Sequence, residues 1–150
     1  ARAAGPFGMV GGQVVDIQSE GRTVGEETLY FIHSRKTGAL ITASVRSGAI
    51  LGDATEAQTH ALSQYGRDLG LAFQVADDIL NVEGSREVLG KETGSDTRRR
   101  KATFPAVVGL ETSRRKAREL AAHAVVHLED FDGKAEPLRA IARYMVERKS

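Results

Sequence analysis

The sequence predicts an all-α helical bundle, and three observations carry that expectation. Apolar residues recur at three-and-four spacing along nearly the whole chain, and no strand-like alternation persists. Hydrophobic residues make up 41% of 150, enough to fill the core of one ordinary domain. Glycine, proline and acidic residues punctuate the periodic stretches where helix ends are expected.

The elements follow in order. A short helix is predicted from Met9 to Gln18, ending at the turn-forming "SEGRTVG". A second runs from Glu26 to Leu51, its acidic opening suited to the positive end of a helix. The third spans Glu56 to Val82. Residues 83–102, "EGSREVLGKETGSDTRRRKA", are rich in glycine and charge and read as a long mobile connection. A fourth helix begins at "TFPAVV", with Pro105 in its first turn, and is predicted to reach Phe131. The last follows Pro137 to Arg148. Neither an internal repeat nor a low-complexity segment interrupts this order.

Composition narrows the function. The formal charge of +1 points to neither nucleic acid nor an anionic membrane surface. Cysteine is absent, so disulfides and zinc–thiolate sites are ruled out, which fits a reducing cytoplasm. No apolar run approaches the ~20 residues that span a bilayer. The opening "ARAAGPFGMVGG" has neither the order of a signal peptide nor a starting methionine, so the chain is expected to begin inside a longer polypeptide.

The chemistry is concentrated in "GLAFQVADDILNVEG". On a helix, Leu62, Leu69, Phe73, Ala76 and Leu80 share one face. Leu71, Val75 and Val82 form a second apolar row, and Ala72 with Ile79 a third. What is left is the polar row Gly70, Gln74, Asp77 and Asn81, flanked by apolar rows and therefore expected to line a cavity rather than face solvent. Gly70 hints at space kept for a ligand, since glycine costs ~1 kcal/mol in a helix. A surface turn is the plain reading of an Asp pair, but "ILNV" continues the helical pattern beyond Asp77 and Asp78. Paired carboxylates among apolar rows need a cation, and oxygen ligands on a helix suit magnesium held together with substrate phosphates.

Further polar residues stand out in the same way. Lys36 falls on the row Leu29, Ile32, Lys36, Leu40 and Ala43, a cation without an evident counter-charge. Reaching round to the helix edge is its alternative. Gln13 and Asp16 share a face of the first helix, where a capping or core hydrogen-bond pair serves as well as chemistry. Lys91 and Lys101 lie on the connection, where solvated surface competes with a lid closing on an anion. Together the set implies a substrate with a diphosphate head and an apolar tail.

Four segments, "GMVGGQVVD", "IHSRKTGALI", "GLAFQVADDILNVEG" and "LGKETGSDTRRRKATFP", stand in the order found in trans-isoprenyl diphosphate synthases. The chain resembles the C-terminal half of that farnesyl and geranylgeranyl diphosphate synthase family. The resemblance implies that residues 1–150 are the C-terminal portion of one isoprenoid synthase domain. It implies a prenyltransferase that ionises an allylic diphosphate with magnesium and joins it to isopentenyl diphosphate. Asp77, Asp78 and Asn81 would then stand at the metal, with Asp77 the direct ligand. Asn81 departs from the family's DDxxD pattern. Lys36, Thr37 and Gln74 would hold the allylic diphosphate and line the cation, and Lys91 and Lys101 would close over the diphosphate. The family's first aspartate-rich motif and its isopentenyl-binding residues are missing here, so this chain alone is expected to be inactive without its N-terminal half. A homodimer is the family's usual state. A non-catalytic partner subunit and a terpene cyclase are the rival readings. The retained Lys36, Asp77, Asp78 and Lys91 speak against the first, and "KTG" with "FQVADD" against the second.

Overall fold

The computed structural model describes residues 1–89, with side chains as far as 84, and residues 102–148. Every element among them is helical. Helix α1 spans Met9–Ser19 and α2 spans Glu26–His33. A π-helical turn, Ser34–Gly38, joins α2 directly to α3, Ala39–Leu51. The long α4, Glu56–Leu89, is followed by α5, Phe104–Val108, α6, Leu110–Val126, and α7, Glu136–Glu147.

Three expected boundaries move, each for a local reason. The second helix is not uniform, because the wider π turn inserts extra rotation and shifts the faces that follow it. Leu29 and Ile32 are buried as expected, but Leu40 is 38% exposed. The apolar row that was to run through Lys36 therefore breaks at Lys36. The third helix continues past Val82 to Leu89, taking the first part of the expected connection. The fourth is broken at Gly109, whose φ of +85° lies where a side chain would be strained. Thr103 caps the short α5 by accepting from the Ala106 N–H, and Ser113 returns its hydroxyl to the Gly109 carbonyl at 2.8 Å. Helix α6 then ends at Val126, short of Phe131.

Helix α4 is the axis of the bundle, and the apolar rows predicted on it do meet the core. Ala72, Val75 and Ile79 pack with Leu29, Phe104 and Leu120. Nearer its start, Leu62, Tyr65 and Leu69 pack with Ala49, Leu128 and Ala142. Tyr65 is fully buried and donates its hydroxyl to the Leu138 carbonyl at 2.8 Å, and burial pushes its pKa up to about 12. No described helix is long and apolar enough to cross a membrane.

Two glycines set how closely the site-bearing elements approach. A Cβ on Gly70 would lie 2.6 Å from the Gly38 Cα, and one on Gly12 would lie 2.4 Å from the Lys36 backbone nitrogen. The π turn is thus pressed between α1 and α4 at distances only glycine permits. Gly70 does not keep space open for a ligand, as the sequence suggested. It closes that space against backbone.

Candidate active site

The contact at Gly70 places the "KT" turn beside the polar stripe of α4. Gly38 immediately follows Thr37, and Gln74 and Asp77 lie one and two helical turns beyond Gly70 on the same face. Thr37 and Gln74 are both half-buried there. A π turn frequently marks a functional site, since its extra residue points side chains where a regular helix cannot.

Lys36 is not an uncompensated charge. Its ammonium donates to Asp16 Oδ2 at 2.7 Å, with the two side chains 31% and 14% exposed. For Asp16 the sequence leaves open a capping or core pair with Gln13 and a role in chemistry. Its actual partner is the cation of the neighbouring element, brought within reach by Gly12.

The stripe is closed at one end and open at the other. Gly70 is buried against Gly38, whereas Asp77 has 47% of its side chain exposed and Asn81 is exposed. The row is therefore buried at Gly70 by packing against backbone rather than around a cavity, and it opens to solvent towards Asn81. Asn81 Nδ2 donates to Asp77 Oδ2 at 3.2 Å across one helical turn. Among the described residues, no hydrogen bond or ion pair joins Lys36 to Asp77. A cavity of about 660 Å³ beside the crossing is bordered by Arg35, Gly38, Thr42, Arg46, Arg67 and Leu71, and none of Lys36, Gln74 or Asp77 borders it.

The two aspartates differ sharply. Asp78 is 13% exposed, and its Oδ2 accepts from His33 Nε2 at 3.0 Å and from the Phe104 N–H at 2.9 Å. Sequence reasoning named neither His33 nor Phe104. The signal lay in "IHSRKTG", where a histidine sits one turn before the lysine.

Arg148 was likewise read only as the end of the last helix. It lies over the Phe73 ring at 4.7 Å and brings Nη2 to 3.7 Å from Asp77 Oδ1. Among the described residues, its buried Nε and Nη2 find no hydrogen-bond partner. Buried guanidinium donors beside an exposed carboxylate mark a place that anionic oxygens would satisfy. Lys91 and Lys101, the proposed closing lysines, lie outside the described residues.

The polyprenyl synthetase family profile matches residues 5–141. The chain belongs to the polyprenyl synthetase family. It is 44% identical over 149 residues to a dimethylallyltranstransferase of Fischerella ambigua, covering 99% of this chain and 43% of that protein. It is 41% identical to the farnesyl diphosphate synthase of Geobacillus stearothermophilus, covering 99% of this chain and 50% of that one. The crystal structure of an FPP/GFPP synthase from Zymomonas mobilis superposes with a TM-score of 0.82 at 40% identity, covering 96% of this chain and 47% of that one. The chain spans about half the length of the curated relatives it matches. Family membership accounts for the all-α bundle.

Proposed function

We propose that this chain is the C-terminal portion of a magnesium-dependent prenyltransferase that lengthens an allylic diphosphate with isopentenyl diphosphate. The observation that carries the reading is the glycine-tight contact that sets the Lys36–Thr37 turn against the acidic stripe of α4. In support, Gly38, next to Thr37, meets α4 at Gly70, on the face that carries Gln74 and Asp77, and Lys36 is paired with Asp16. The family's relatives named as farnesyl and geranylgeranyl diphosphate synthases support it.

The donor set fits magnesium. Among the described residues, no group of three His, Cys, Asp or Glu gathers into a metal site. Magnesium does not need one, because it is usually bound by one or two carboxylates, several waters and substrate phosphates. Asp77 offers a half-exposed carboxylate, Asn81 steadies it, and the Arg148 guanidinium beside it favours an anion nearby. Bound magnesium would supply charge that stabilises the departing diphosphate.

The chain's own residues then divide the work. Lys36, oriented by Asp16, presents its remaining N–H groups to the allylic diphosphate. Thr37 and Gln74 line the space where the allylic cation develops. In the reaction the allylic C–O bond breaks and diphosphate leaves with the electron pair. The double bond of isopentenyl diphosphate attacks the cation, and the departed diphosphate takes the proton whose C–H electrons form the new double bond. Fixed charges aimed at the leaving group lower the barrier because they need no reorganisation.

The test is turnover of radiolabelled isopentenyl diphosphate with geranyl diphosphate and magnesium. The 150-residue chain alone should give no product, and a polypeptide extended to the length of its relatives should give a longer prenyl diphosphate. Asp77→Asn in the extended protein should nearly abolish that product. Turnover by the short chain would overturn the fragment reading, and full activity of the Asp77 variant would overturn the site.

A further inference from the structure

We propose that His33 is a positioning residue for the aspartate pair, and that it makes Asp78 a clamp rather than a metal ligand. The inference deepens the prenyltransferase reading and rests on it.

Neighbouring residues on a helix point about 100° apart, so Asp77 and Asp78 cannot serve one centre equally. Asp78 turns towards α2, where one of its oxygens takes both the His33 imidazole and the Phe104 N–H. Two donors on one oxygen fix the carboxylate's orientation and occupy the lone pairs a cation would use there. Asp77 lies on the open side, with 47% of its side chain exposed and Oδ1 facing Arg148 Nη2 at 3.7 Å.

His33 is buried where it can do this. It is 5% exposed, and its ring lies parallel to Phe104 at 5.4 Å, with an interplanar angle of 28°. Phe104 in turn meets Tyr30 edge-on at 5.3 Å, so the imidazole is held in an aromatic slot. Its Nδ1 is buried without a partner. Donation from Nε2 to the carboxylate leaves Nδ1 as the bare acceptor nitrogen, which avoids stranding a buried N–H. A slot that needed only packing would be filled better by phenylalanine, with no orphaned nitrogen. The hydrogen bond to Asp78 is what the histidine adds. Because His33 ends α2 where the π turn begins, the clamp also ties three segments together: the turn bearing Lys36, the acidic stripe, and the start of α5.

The test compares four variants by hydrogen exchange at the Phe104 amide and by binding of manganese with inorganic pyrophosphate. His33→Phe keeps the slot filled but removes the donor. It should expose the Phe104 amide to faster exchange and weaken manganese binding ~10–100-fold, the usual cost of losing a group that orients metal ligands. His33→Gln, which can donate from a similar position, should recover most of both. Asp78→Asn retains an acceptor oxygen and should lose much less binding than Asp77→Asn. Unchanged exchange and binding in His33→Phe would overturn the clamp, as would equal losses in the two Asn variants. A wild-type polypeptide extended to the length of its relatives that ignores manganese pyrophosphate would overturn the prenyltransferase reading itself, and exchange at Phe104 would still decide whether the clamp exists.

Discussion

The two ends of the α4 polar stripe behave oppositely. At Gly70 the helix touches the backbone of Gly38 and no side chain could fit, while two turns later Asp77 stands half in solvent beside Asn81 and Arg148. One end fixes geometry and the other is free to engage a ligand. The difference teaches that the acidic residues owe their placement to a contact that contains no chemistry. A site of this kind is made accurate by packing at some distance from its reacting groups.

Substitutions at the closed end should therefore cost most. Gly70→Val drives a branched side chain into backbone and should destabilise the fold by about 3 kcal/mol, the upper range for overpacking, read as a lowered urea midpoint. A midpoint like that of the wild type would mean that α4 can lift away from the turn, and the contrast between the two ends would collapse. Next comes the ion pair that joins α1 to the turn. A lysine without a counter-charge could be removed with a gain in stability. Because Asp16 compensates Lys36, Lys36→Ala should instead cost about 1–2 kcal/mol by stranding a largely buried carboxylate. Thermal melts of Lys36→Ala and of the Asp16→Asn, Lys36→Ala double variant would check this, the double variant being the milder. An increase in melting temperature for the single variant would contradict the pairing.

Tyr65 offers a control remote from the stripe. Tyr65→Phe should cost about 1 kcal/mol through the lost bond to the Leu138 carbonyl. The folded pKa of about 12 lies above the ordinary phenol value of 10.0. The stabilisation this represents is complete below the unfolded value and is lost as pH rises through the folded one. Wild-type stability should fall more steeply than that of the Phe variant between about pH 10 and 12 in denaturant titrations. Parallel profiles would show that the hydroxyl is not held as described.

The open end should respond least. Asn81→Asp replaces an amide that donates to Asp77 with a like charge one turn away, costing a few tenths of a kcal/mol without metal. Added magnesium at constant ionic strength should narrow or reverse that difference. If it leaves the difference unchanged, Asp77 does not face the metal.

Helix content and the apolar rows of α4 were legible in the sequence because burial repeats with the helical period. Asp77 and Asp78 stand out in the sequence because carboxylates conflict with such rows, but their division into a half-exposed and a largely buried side chain does not. Other features were not legible because they depend on what lies opposite. A glycine that makes room and a glycine that permits contact look identical in one dimension, which is why Gly70 was misread. The π turn has no local signature beyond Gly38, and it alone moved Leu40 to the surface. Asp16 and His33 find partners 20 and 45 residues away, beyond anything periodicity reports. The break at Gly109 was hidden by apolar residues on either side.

The Phe104–Asp78 hydrogen bond closes a span of 26 residues, and the buried ring beside it pins the far end of that span. The entropy of closing such a loop grows only with the logarithm of its length, so doubling it costs about 0.6 kcal/mol. The number of residues between Asp78 and Phe104 is therefore thermodynamically cheap as long as the two still meet. Selection acting on stability alone would fix that meeting point and leave the spacing between its partners free to vary between species.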